Sequence, residues 1–138
     1  MTDSIASSFQ FDQIDRRTKK VTPALIAAVT DRIVRFLQPR QVILFGSQAS
    51  RQAGKGSDID LLICLNDHHP LAKARRGERA GAVLDLFRYR SFGLDVIVLS
   101  QDEIRGLQEA NEGEWDLVLE ILAQGKVLYE RKDLAATE

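Results

Sequence analysis

The stretch that most restricts the fold of this chain is Asp58-Ile59-Asp60-Leu61-Leu62-Ile63-Cys64-Leu65. From Ile59 to Leu65 it is apolar on both faces of an extended chain, Asp60 apart. Such a segment reads as a strand covered on both sides, with a layer of structure above and another below. The aspartates at its head stand out. Side chains alternate along a strand, so Asp58 and Asp60 point to one side and Ile59 to the other. A carboxylate placed there costs free energy unless something cationic meets it.

The rest of the chain supplies the covering layers. Thr22-Pro23 is a helix start, a Thr cap followed by Pro at the first helical position. Leu25, Ile26, Val29, Ile33, Phe36 and Leu37 then form a helical stripe, which Pro39 ends. Gln41–Phe45 reads as a strand that Gly46-Ser47 breaks, with a short helix over Ser47–Gln52 and a loop at Gly54–Gly56. Asn66–Pro70 is a turn, and Leu71–Tyr89 is expected to be one long helix with Val83, Leu84 and Phe87 on its apolar side. Leu94–Leu99 is a third strand. Ser100 and Glu103 form a capping-box pattern for a helix that turns Ile104 and Leu107 inward. A last helix is expected over Glu114–Gln124, with Trp115, Val118, Ile121 and Leu122 as its apolar face and Gly125 as its stop. Val127–Tyr129 adds a short edge strand.

This order describes an α/β (α+β) domain, a small sheet with helices packed on it. A single domain is expected over residues 1–138, with its core at about 22–129, a loosely held arm at Met1–Lys20 and a frayed tail at Arg131–Glu138. The length of 138 residues and the 44% hydrophobic content suit one globular core. The net charge of −1 argues against nucleic-acid binding through bulk charge, and no direct nucleic-acid partner is expected. One cysteine, Cys64, excludes an internal disulfide framework and fits a reducing compartment. No stretch approaches the roughly 20 apolar residues of a membrane span, so a cytoplasmic, soluble protein without a membrane partner is expected.

The carboxylates point to a cation. Asp58 and Asp60, held close on one side of a strand, repel each other; a proton or a divalent cation relieves them. Magnesium favours carboxylate oxygens together with substrate phosphates and waters. Gly46-Ser47 offers those phosphates a seat, because a strand that opens into a helix turns free backbone N–H groups toward an anion. Asp95, in the apolar run Gly93-Leu94-Asp95-Val96-Ile97-Val98, is a third acid. If its strand lies beside that of Asp60, three carboxylates converge, enough to hold metal ions for an in-line phosphoryl displacement.

Each feature has an ordinary reading as well. Asp-x-Asp alone fits a hydrogen-bonded turn, Asp95 alone a strand-end charge, and the glycines alone plain turns. Their joint occurrence favours chemistry. Ala49-Ser50-Arg51-Gln52-Ala53-Gly54-Lys55-Gly56-Ser57 is not a Walker phosphate loop: the first glycine is missing, Gly56 interrupts Lys-Ser, and a strand follows instead of a helix. His68 and His69 are read as an exposed turn rather than metal ligands, and Cys64 and Trp115 as packing residues. Arg75, Arg76 and Arg79 are read as a solvated helix face.

Gly46-Ser47, ten residues, then Asp58-Ile59-Asp60, with a later strand aspartate at Asp95, resembles the polymerase beta-like nucleotidyltransferase superfamily. The chain looks like its minimal members, which include the MntA-type antitoxins paired with HEPN ribonuclease toxins. The resemblance implies a magnesium-dependent enzyme. Asp58, Asp60 and Asp95 would be the metal-binding and catalytic residues, with Asp95 helping to deprotonate the attacking hydroxyl. Gly46 and Ser47 would hold the ATP triphosphate, with Arg51 or Lys55 reaching its phosphates. One departure stands out: where many relatives read Gly-Ser-x-Ala-Arg-Gly, this chain has Ser50 and Arg51 at the last two positions.

For antitoxins of this type the resemblance implies AMP transfer from ATP to a tyrosine of a HEPN toxin. Two other functions compete, a contact-only antitoxin and an aminoglycoside-type small-molecule nucleotidyltransferase. The latter is disfavoured by the short stretch after Asp95. Whether the chain forms a homo-oligomer is left open by the sequence.

Overall fold

Thr22 opens the helix that follows it through the capping geometry its place before Pro23 leads one to expect. Its backbone is extended (φ −126°, ψ 163°), and its side chain accepts the Leu25 N–H at 3.1 Å. One of the donors that a helix start leaves unpaired is thereby satisfied. The helix, α1 (Pro23–Leu37), stops at Gln38. The residue before a proline is pushed out of the helical region. Gln38 accordingly turns left-handed (φ 52°, ψ 57°), and its N–H donates to the Val34 carbonyl.

The computed structural model describes residues 21–49, 58–110 and 117–131. Four strands, β1 (Gln41–Phe45), β2 (Ile59–Leu65), β3 (Leu94–Ser100) and β4 (Lys126–Glu130), form one mixed sheet in the order β3-β2-β1-β4. β2 runs antiparallel to β1 and parallel to β3, and β4 pairs antiparallel with the far side of β1. The described residues form three further helices: α2 (Arg76–Asp85), α3 (Gln101–Ala110) and α4 (Leu117–Gln124).

The alternation of β2 divides the core in two. Ile59, Leu61, Ile63 and Leu65 face a layer built from Leu25, Val29 and Ile33 of α1 and Val83 of α2. Leu62 and Cys64 face the other way, under Ile104 of α3 and Ile121 of α4. Every residue of β2 except Asp60 is buried. Each buried Leu or Ile contributes about 1.5–3 kcal/mol, so the register of this strand is strongly held: a one-residue slip would drive Asp60 into the first layer.

The fold class is as expected, and so are the limits of β2 and the capping box. Ser100 Oγ accepts the Glu103 N–H at 3.2 Å, while Glu103 Oε1 accepts the Ser100 N–H at 2.8 Å. The long helix expected over Leu71–Tyr89 is broken instead. A 3-10 turn (Pro70–Lys73) ends at Ala74, whose backbone is extended (ψ 164°), and α2 begins only at Arg76. Gly77 and Gly81 lie within α2, and glycine is a weak helix former. Tight turns over Leu86–Arg90 replace the last helical residues, with Leu86, Phe87 and Arg90 N–H groups donating to carbonyls three residues back.

At the Gly-Ser step the helix expected over Ser47–Gln52 is a 3-10 turn, Gly46–Gln48, and residues 50–52 lie outside the described ones. Residues 114–116 of the last expected helix, the N-terminal arm and all of the tail after Arg131 lie outside them too. Arg131 itself donates its N–H to the Arg40 carbonyl at 2.9 Å. Among the described residues no helix is long and apolar enough to cross a membrane.

Candidate functional site

Parallel pairing of β2 with β3 sets Asp60 opposite Asp95. In β3, Leu94 and Val98 pack in the first core layer and Leu99 in the second. By alternation Asp95 therefore faces the α3–α4 side, as Asp60 does. Asp58 lies just before β2, two residues from Asp60, where the Ile59 N–H donates to the Gly93 carbonyl at 2.9 Å. That bond ties the head of β2 to the approach of β3.

Two glycines make room for the carboxylates. A side chain on Gly93 would overlap Asp58 Oδ1 and Cγ. A side chain on Gly46 would overlap Asp60 Oδ2, and Gly46 also holds φ 73°, a conformation that favours glycine. The turn after β1 is thus pressed directly onto Asp60.

The electrostatics follow from the crowding. Asp60 is half-buried, whereas Asp58 and Asp95 are exposed. Burial, then the charges of Asp95 and Asp58, then a side-chain hydrogen bond with Asp95 raise the Asp60 carboxyl to about 6. Each of these causes favours the protonated form of Asp60. Among the described residues, no three His, Cys, Asp or Glu side chains form a ready-made ligating cluster. The donor set nonetheless suits a hard divalent cation: carboxylate oxygens crowded enough to retain a proton, on a surface reached from solvent.

Of the residues singled out in the sequence, Asp58, Asp60, Asp95 and Gly46 lie together. Ser47 sits in the 3-10 turn beside them, and the Ala49 N–H closes that turn on the Gly46 carbonyl at 3.1 Å. Arg51 and Lys55 lie outside the described residues. Gly93 carries no site signature in the local sequence; its role as the seat of Asp58 depends on the β2–β3 pairing.

Other polar residues have structural partners. His69 is half-buried rather than fully in solvent. Its Nδ1 accepts the Leu71 N–H at 3.0 Å, which leaves Nε2 to donate to the Leu37 carbonyl at 2.8 Å. Arg79 is a clearer correction. It is 4% exposed, not solvated, and donates to the Ala72, Ala74 and Val98 carbonyls and to Glu103 Oε1 at 2.5 Å. Cys64 is buried, and burial pushes its thiol up to about 11.

Comparison with known proteins agrees with this architecture. No curated protein sequence matches the chain. A solved Sulfolobus solfataricus protein, assigned as a candidate nucleotidyltransferase, is similar at 16% identity and a TM-score of 0.51, over 91% of this chain and 88% of that one. At that identity the likeness concerns the fold. A toxin-antitoxin structure with AMP-PNP matches at 20% identity over 80% of this chain and 78% of that one, with a TM-score of 0.45, too loose to carry an argument. The profile of the family described as polymerase beta, nucleotidyltransferase matches residues 29–134. That span takes in the whole sheet, the Gly46 turn and the three aspartates, and on it the chain belongs to the polymerase beta nucleotidyltransferase family.

Proposed function

We propose that this nucleotidyltransferase domain transfers AMP from ATP, with magnesium, to a hydroxyl on a partner protein, and that the acceptor is a tyrosine of a HEPN-type toxin which the modification silences. The observation that carries the transfer chemistry is the pairing of Asp60 with Asp95 across β2 and β3, with Asp58 two residues before Asp60 and Gly46 pressed against the Asp60 carboxylate. The protein acceptor rests on the motif's resemblance to the minimal, antitoxin-type members of the family.

In this reading Asp58, Asp60 and Asp95 would hold the cation, and the Gly46–Gln48 turn would receive the triphosphate. Bound magnesium supplies neutralisation of phosphate and carboxylate charge. The acceptor oxygen attacks the α-phosphorus, the bond from that phosphorus to the β-phosphate bridging oxygen breaks, and pyrophosphate leaves. The Asp95 carboxylate, exposed to the acceptor side, takes the hydroxyl proton. Asp58 and Asp60 position the reacting centre, so that transfer needs little rearrangement.

Incubation with ATP, magnesium and the partner toxin tests this. Mass spectrometry should find the toxin heavier by one or more AMP units with the wild-type protein and unchanged with Asp58→Ala. An unmodified toxin under saturating ATP would remove the enzymatic reading. A contact-only antitoxin, with the metal site vestigial, is the second reading. It expects Asp60→Ala to neutralise the toxin as well as wild type.

A further inference from the structure

A groove of about 370 Å³ opens on the same face of the sheet as Asp60. Its floor is Phe45 and Gly46 and its wall is α4, which contributes Leu117, Glu120, Ile121 and Gln124. Phe45 is the β1 partner of Asp60, and cross-strand partners project to the same face. Gly46 belongs to both features: the Asp60 carboxylate lies against it, and it lines the groove. The groove is therefore the continuation of the candidate site away from Asp95.

Its chemistry is that of a flat, mostly apolar ligand with a hydrogen-bonding edge. The volume falls in the roughly 300–1,000 Å³ range of small-molecule sites. Phe45 offers an aromatic surface, and Leu117 and Ile121 offer aliphatic ones. Glu120 and Gln124 are four residues apart on α4 and share one side of it. No Lys or Arg is among the described lining residues, so the phosphates belong at the Gly46 turn and not in the groove. The geometry points to this groove as the seat of the nucleotide's base, with the Gln124 amide reading adenine. A Gln side chain pairs in two-point fashion with adenine N6 and N7, accepting at its oxygen and donating from its nitrogen. Guanine presents an acceptor where adenine presents N6–H, and fits that amide less well. The base seat rests on the nucleotidyltransferase reading above and adds a preference for ATP.

The test is calorimetry on the full chain with magnesium, titrating ATP, GTP and inorganic tripolyphosphate separately. ATP should bind more tightly than tripolyphosphate and than GTP. Gln124→Ala should remove roughly 10-fold of ATP's advantage and leave tripolyphosphate binding unchanged. Gln124→Glu, nearly the same size, should weaken ATP binding without improving GTP binding, because a carboxylate cannot donate to N7 and meets only acceptors on the same edge of guanine. Equal binding of ATP and tripolyphosphate would overturn the base seat while leaving the phosphate site standing. So would an ATP preference that both Gln124 variants keep. Binding of none of the three would overturn the nucleotidyltransferase reading, and the base seat with it. A groove that takes a partner protein instead would show as Gln124→Ala weakening toxin capture without altering ATP affinity.

Discussion

The carboxylate of Asp58 occupies the space that a side chain on Gly93 would need, although 35 residues separate the two in sequence. Gly93 also accepts the Ile59 N–H through its carbonyl. One glycine thus fixes both the backbone at the head of β2 and the position of the acid that precedes it.

Gly93→Ala should therefore separate activity from folding. Gly93 does not hold the left-handed backbone found at Gly46, so alanine fits the main chain and only Asp58 has to move. A displacement of about 1 Å at a reacting centre can cost roughly 10²-fold in rate. Transfer activity should fall by about that factor, while circular dichroism and the unfolding midpoint stay close to wild type. Full activity in Gly93→Ala would mean that the Asp58 position is not critical.

Arg79 joins four pieces of the fold through one guanidinium: the 3-10 turn, the chain at Ala74, β3 at Val98 and α3 at Glu103. Arg79→Ala strands these carbonyls and leaves a void, and should cost about 3 kcal/mol in urea unfolding. Glu103→Gln keeps an acceptor for the Ser100 N–H and loses only charge, so it should cost about 1 kcal/mol or less. Equal losses would show that the ion pair, and not the carbonyl anchoring, dominates.

Cys64 should be inert in the native protein. Its thiol is buried beneath Ile104 and Ile121 and pushed up to about 11, largely by burial. A thiolate is the reactive form. Iodoacetamide near neutral pH should leave the folded chain unlabelled and modify it once urea unfolds it. Rapid native labelling would show that α3 and α4 open readily.

The parts of the fold that were legible in the sequence are those fixed by neighbours a few residues away. Thr22 before Pro23, the two-sided apolar run Ile59–Leu65 and the Ser100–Glu103 reciprocal cap all declare themselves locally. The spacing from Gly46-Ser47 to Asp58 and Asp60 was legible for the same reason. Arg79 was misread because its partners Val98 and Glu103 are 19 and 24 residues away, and a helical arginine looks solvated until they are in place. The break before Arg76 was not legible because the Pro70 turn that precedes it is capped by His69, which is itself held by the Leu37 carbonyl at the end of α1. The groove beside Phe45 has no local signature at all, since β1, the Gly46 turn and α4 meet only in three dimensions.

The raised Asp60 carboxyl gives a measurable pH dependence. Its carboxyl is raised from 3.8 to about 6, first by burial and then by the charges of Asp95 and Asp58. Between those values the folded protein holds a proton that the unfolded chain has released. Stability from this group is therefore fully present below about pH 4 and is lost as pH rises through about 6. Glu103 has the opposite sign. Burial alone would raise it, but hydrogen bonds from Arg79 and Ser100 and the Arg79 charge hold it below its usual range. Its contribution is present above 4.5 and fades only in more acidic solution. The informative window is thus from about pH 5 to about pH 7.5, with a chelator present. Across it, the unfolding midpoint of wild type should drop relative to that of Asp60→Asn, which cannot ionise. Groups common to both proteins cancel in the difference. Saturating magnesium should narrow the gap at the alkaline end by taking the proton's place between the carboxylates. Parallel curves for wild type and Asp60→Asn would show that folding does not raise the Asp60 carboxyl.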